Sequence, residues 1–122
     1  MNFTVGEHSA RHLRRIVRMY LRSWSMSGAT GAVELALTEL LANVVRHVPD
    51  RRCALLFVRQ GGTVRVEVTD GARGWPCVRV GRGLAEGGWG LALVEAVTDR
   101  WGVVPLAGGG KTVWFECDAK VE

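Results

Sequence analysis

Between positions 33 and 48 the apolar residues Val33, Ala36, Leu37, Leu40, Leu41, Val44, Val45 and Val48 recur at i, i+3, i+4 and i+7. That is the spacing of a helix with one face on a core, and nothing else in the chain limits the fold as much. A helix this apolar must be covered by a second layer. Set into it are Glu39, Asn43 and His47, each four residues apart. They therefore stack along one side of the helix, starting at the border of the apolar arc and drifting into it. A carboxylate, a carboxamide and an imidazole aimed toward a core are costly unless something there needs them. A cavity for a polar ligand supplies that need.

The covering layer is legible further along. Residues 53–59 and 63–70 read as strands joined by Gln60-Gly61-Gly62, a hairpin signal. In the second, Val64, Val66 and Val68 alternate with Arg65, Glu67 and Thr69, so one face is buried and the other wet. A short extended start over 2–5 precedes a helix over about 9–25, whose apolar side carries Leu13, Ile16, Val17, Tyr20, Leu21 and Trp24. Ser27-Gly28-Ala29-Thr30 breaks it and offers Thr30 as N-cap for the second helix, which ends at Pro49-Asp50. Residues 71–88 lack periodicity and are rich in glycine, as functional loops of that length often are. A third helix is expected over about 90–101, with Leu91, Leu93, Val94, Val97 and Trp101 available to pack. Val103-Val104 reads as a strand, 107–110 as a turn and 112–118 as a last strand. The expected fold is α/β: a two-layer sandwich of about three helices on one mixed, mainly antiparallel sheet, in a single domain over 1–122.

Composition excludes some functions. No apolar run is read as approaching a membrane span and the N-terminus lacks a signal pattern, so a cytoplasmic protein with no membrane contact is expected. The net charge is +4, with lysine only at Lys111 and Lys120. Arg11, Arg14, Arg15, Arg18 and Arg22 share the first helix. No aromatic interleaving or nucleic-acid motif accompanies them, which favours a solvated face or an acidic protein partner over direct nucleic-acid binding. Cys53, Cys77 and Cys117 form no C-x-x-C and are widely spaced, so neither a zinc site nor a disulfide framework is indicated. Cys53 and Cys117 fall in strands as apolar fillers.

Three further segments carry possible chemistry. Asp70 ends a strand and opens Asp70-Gly71-Ala72-Arg73-Gly74. Its carboxylate is either an acceptor for an exocyclic amine, with Gly74 admitting a flat ring, or part of an ordinary Asp-Gly turn. Gly87-Gly88-Trp89-Gly90-Leu91 leads into the third helix, where backbone N–H groups and the helix dipole favour phosphate. Gly108-Gly109-Gly110-Lys111-Thr112 is not a P-loop: the first glycine of that motif is Pro105, and the lysine and threonine open a strand. Gly81-Arg82-Gly83 continues to Glu86, so the dinucleotide fingerprint fails too.

Taken in order, a helix with Glu-x-x-x-Asn, a strand ending in Asp-Gly, a loop, Gly-x-Gly-Leu at a helix start and Gly-Lys-Thr on a strand resemble the GHKL (histidine-kinase-like) ATPases. Especially close to their anti-sigma-factor, serine-protein-kinase branch are Glu39-Leu40-Leu41-Ala42-Asn43, Gly90-Leu91-Ala92-Leu93-Val94 with Asp99-Arg100-Trp101-Gly102-Val103, and Gly109-Gly110-Lys111-Thr112-Val113-Trp114. The resemblance implies a Bergerat-type ATP-binding fold and Mg²⁺-ATP as cofactor. By it Asn43 holds Mg²⁺ and Glu39 is the general base for a serine hydroxyl. Asp70 binds the adenine amine with Thr112 supporting it through water, and Gly88, Gly90 and Leu91 belong to the nucleotide site with His47 at its edge. Residues 75–87 form a lid. The implied partners are an anti-anti-sigma (STAS-type) protein as substrate, a sigma factor, and in some family members a second copy of the chain. Ala72 and Trp89 depart from the branch's usual residues, and the lid is short. The alternative is a partner-switching module that captures regulatory proteins while binding ATP weakly or not at all.

Overall fold

In the computed structural model the described residues are 1–72 and 88–119. Among these residues five strands and three helices follow in the order β1 (Asn2–Thr4), α1 (Ser9–Ser23), α2 (Thr30–His47), β2 (Arg52–Gln60), β3 (Thr63–Asp70), α3 (Gly88–Val97), β4 (Arg100–Pro105) and β5 (Lys111–Asp118). The strands form one sheet in the order β1-β2-β3-β5-β4. All four pairings are antiparallel, so the sheet is not mixed as the sequence suggested.

The two periodicities meet in the core. Val64, Val66 and Val68 of β3 and Val113, Phe115 and Cys117 of β5 are buried, as are Val33, Ala36, Leu37, Leu40, Leu41 and Val44 of α2. Val45, one position off that arc, is exposed. The segment Ser27–His47 has 21 residues at a mean hydropathy of 1.2, enough in length and composition to cross a membrane, which corrects the reading that no such run exists. Here its apolar face is taken up by the core. Tyr20 of α1 and Trp24, which follows it, pack on Phe57 of β2, with ring centroids 6.0 and 5.2 Å away. Arg18 pairs with Glu34 at 2.8 Å and Arg14 donates to the Thr38 hydroxyl at 3.2 Å. Two of the five arginines on α1 thus tether it to α2.

The opposite face of the sheet has no helices among the described residues and is covered by ions instead. Arg65 binds Glu67 and Glu116 at 2.7 and 2.9 Å and lies over the Trp114 ring, 4.2 Å from its centroid. Arg100 binds Glu116 at 2.7 Å and also Asp118.

Several boundaries differ from expectation for identifiable reasons. Thr30 is the first residue of α2, not its cap: a 3-10 turn over Ser27–Ala29 runs straight into the helix and no side chain caps it. The β2–β3 turn is as expected, with Gln60 opposite Thr63 and Gly61 at φ +60. Helix α3 ends at Val97: Thr98 N–H still bonds the Val94 carbonyl, and Asp99 N–H leaves the helix for Glu116 O at 2.9 Å. Trp101 is therefore in β4, opposite Phe115.

Candidate functional site

The hollow sits where the polar stripe of α2 meets the ends of β3 and β5. Its lining is Leu40, Asn43, Val44 and His47 from the helix, Val68 and Asp70 from β3, and Lys111 and Val113 from β5. Four aliphatic side chains make apolar walls, and the polar groups converge from opposite sides. Register explains the convergence. Asp70 is the last residue of β3 and Lys111 the first of β5, and they are cross-strand partners, so their side chains emerge on the same face.

Asp70 and Lys111 are both buried, at 6% exposure each. The lysine Nζ lies 3.0 Å from Oδ2 and 3.1 Å from Oδ1 of the carboxylate. Oδ1 also accepts the Ala72 N–H at 2.9 Å. The aspartate thus makes the ordinary turn contact after its strand and still faces the hollow, so the two readings of this residue coexist. Its charge reaches further: burial first, and the Asp70 carboxylate second, push the Cys53 thiol up to about 11.

Asn43 is the other buried polar group of α2, and the sheet does not satisfy it. Its Nδ2 is buried with no hydrogen-bond partner among the described residues. Its Oδ1 accepts a long 3.3 Å bond from Arg46. An orphaned donor of this kind costs about 1–3 kcal/mol, which a ligand or water in the hollow recovers. Glu39 lies one turn before Asn43 and is half-buried, outside the lining; His47 is exposed at the rim.

The structure therefore brings Asn43, His47 and Asp70 to one hollow. Gly88 and Gly90 form the first turn of α3, and Gly74 with the expected lid over 75–87 lies outside the described residues. Two further site residues lie outside the lining of the hollow. Leu91 is fully buried in the core. Thr112 is on the far face of the sheet, its Oγ1 bonded to Thr69 Oγ1 at 2.7 Å, and the β5 residue facing the hollow is Lys111. Sequence reasoning also missed Arg46, which sits one turn from the asparagine it contacts.

The donor set fits a purine nucleotide better than a protein-held metal. Among the described residues no group of three His, Cys, Asp or Glu could hold an ion. A flat apolar slot ending in a buried carboxylate suits a base with an exocyclic amine, while the Asn43 carboxamide oxygen can give one ligand to a hard ion whose other ligands are water and phosphate.

No curated protein sequence matches significantly. The crystal structure of the RsbU and RsbW domains of Rv1364c from Mycobacterium tuberculosis superposes with a TM-score of 0.70 at 22% identity, covering 98% of this chain and 32% of that one. The chain spans about a third of that protein, and at this identity the likeness speaks for the fold. The profile of the histidine kinase-like ATPase domain matches residues 4–117, nearly the whole length. The chain belongs to the histidine kinase-like ATPase domain family.

Proposed function

We propose that this protein is a Mg²⁺-ATP-dependent protein-serine kinase that phosphorylates an anti-anti-sigma (STAS-type) protein and, when free of it, holds a sigma factor. The observation that carries the reading is the pair of buried polar side chains, Asn43 and Asp70, meeting in one hollow between α2 and the sheet. Asp70 accepts the amine of adenine, with Leu40, Val44, Val68 and Val113 against the ring. Asn43 offers its carboxamide oxygen toward Mg²⁺, and the first turn of α3, with Gly88 and Gly90, faces the phosphates. Glu39, one turn along the same side of α2, takes the proton of the incoming serine hydroxyl. ATP supplies the phosphoryl group, and its metal ion neutralises developing charge. The new phosphate on the antagonist then alters which partner the kinase retains, a switch of charge on a binding surface.

The test is incubation with Mg²⁺-ATP and a STAS-type antagonist. Transfer should fall by about 10²–10⁴-fold in Glu39→Gln while ATP binding persists, and Asp70→Asn should abolish both. Equal transfer by Glu39→Gln and the unmodified protein refutes the role of the glutamate. A second reading, partner capture with little nucleotide turnover, is favoured by the closed Asp70–Lys111 pair. It predicts partner binding that ignores ATP.

A further inference from the structure

The hollow has the right walls for a base, yet its interior volume is only about 10 Å³. That is room for about one water. The obstruction is Lys111. Its side chain lines the slot, is about as buried as the carboxylate it contacts, and places its ammonium across both carboxylate oxygens. Of the roughly four acceptor positions on a carboxylate, the lysine and the Ala72 N–H together use three. A base cannot reach Asp70 along the slot while this pair is closed.

Resting on the nucleotide-binding reading above, we propose that Lys111 is an internal competitor for the base site, so that it sets the nucleotide affinity of this domain. The contest is unequal. The ammonium brings a full positive charge against a buried carboxylate, whereas the amine of a purine is a neutral donor that leaves the buried negative charge uncompensated. Binding requires the lysine to leave, and its four-carbon stem allows this: the head can swing to solvent while the stem stays on apolar surface. The measured affinity is then the intrinsic one reduced by the fraction of molecules in which the pair is open. Position 111 is also the β5 position that the register sets beside Asp70. A small residue there leaves both the carboxylate and the slot free, and a lysine closes both. His47 is the one exposed residue of the lining among the described residues and marks the end of the slot nearest solvent.

The experiment is calorimetric titration of Mg²⁺-ATP into the unmodified protein, Asp70→Asn, Lys111→Thr, and Lys111→Thr combined with Asp70→Asn. Removing the lysine leaves a buried carboxylate without its cation, so Lys111→Gln, a neutral donor of similar length, is titrated in parallel, and thermal unfolding identifies folded variants. The expected result is affinity higher by about tenfold or more in Lys111→Thr, as for a pair open in about one molecule in ten. Lys111→Gln should change in the same direction, and the gain should be lost when Asp70→Asn is added. Equal or weaker affinity in both folded lysine variants, with Asp70→Asn still removing binding from the unmodified protein, overturns the competitor role and leaves the nucleotide site standing. No binding by any folded variant overturns both.

Discussion

Gly110 is where the two strands that carry Asp70 and Lys111 are held together, and replacing it with alanine tests how tightly the site is built. Its φ is +88, and a Cβ placed there would lie 2.3 Å from the Asp70 carbonyl oxygen and 2.9 Å from the Gly71 Cα. Both obstacles are backbone, so no side-chain rotation relieves them. The left-handed conformation costs an L-residue about 1–2 kcal/mol. Forcing an added methyl into occupied space costs about 1–3 kcal/mol more. Gly110→Ala should therefore lose about 2–5 kcal/mol, a large part of the 5–15 kcal/mol typical of a domain. Gly108→Ala is the control, since a Cβ at Gly108 meets nothing within 4 Å and should shift stability by no more than about 0.5 kcal/mol. Urea unfolding followed by tryptophan emission measures both. With a slope of about 2 kcal/mol per molar, the middle of the usual range, the Gly110→Ala midpoint should fall by roughly 1–2.5 M. Because the clash bears on the residue that carries the site carboxylate, ATP binding should weaken in the same variant. A Gly110→Ala midpoint equal to that of Gly108→Ala would refute the claim that close backbone contact fixes the ends of β3 and β5.

Thr112→Val should leave ATP affinity unchanged and lose no more than about 1–1.5 kcal/mol, one neutral hydrogen bond, because its hydroxyl bonds Thr69 on the face away from the hollow; a tenfold loss of affinity by calorimetry would show that Thr112 does reach the base. Hydrogen bonds from Arg100 and then Arg65 hold the Glu116 carboxyl below its usual value, and bonds from Arg100 and then Thr63 do so for Asp118. Folded-state values that are depressed stabilise above the unfolded carboxylate range and are lost as pH falls through them. Arg100→Ala should thus be less stable than the parent near neutrality and converge with it in acid, and a gap that widens on acidification contradicts this. Burial pushes the thiols of Cys53 and Cys117 up to about 11 and about 12, leaving at most about one thiolate in a thousand at pH 8. Peptide mapping after iodoacetamide should find both unmodified in the folded protein and labelled in urea, whereas rapid native labelling of either argues against its burial.

The part of this fold that is plain in the sequence is the part whose side chains see one-sided burial. The α2 period and the alternation of Val64, Val66 and Val68 are local consequences of facing a core, and the Gly61-Gly62 turn is a local consequence of a positive φ at Gly61. The end of α3 was harder, because Trp101 continues the spacing set by Val97 and burial alone does not tell a helix turn from the next strand. What marks its end is a long-range bond from Asp99 N–H to Glu116 O, which leaves no periodic trace.

The placement of Lys111 is more instructive. The resemblance gave Thr112 a role through water and gave Lys111 none, although the strand itself tells where the lysine lies. Val113, Phe115 and Cys117 are a period-2 apolar series, so the residue two before Val113 shares their face and the residue between does not. A shift of one position exchanges the faces of a strand completely. By that parity the lysine points to the helices and the threonine away, as observed. Parity alone does not reveal what the lysine meets, since Asp70 lies 41 residues earlier and only the β3–β5 register brings the two opposite each other. A buried lysine needs an anion, and among the described residues the only acidic one that lines the hollow with it is the aspartate assigned to the base. The feature that makes the ATP site recognisable and the feature that closes it are therefore two ends of one ion pair.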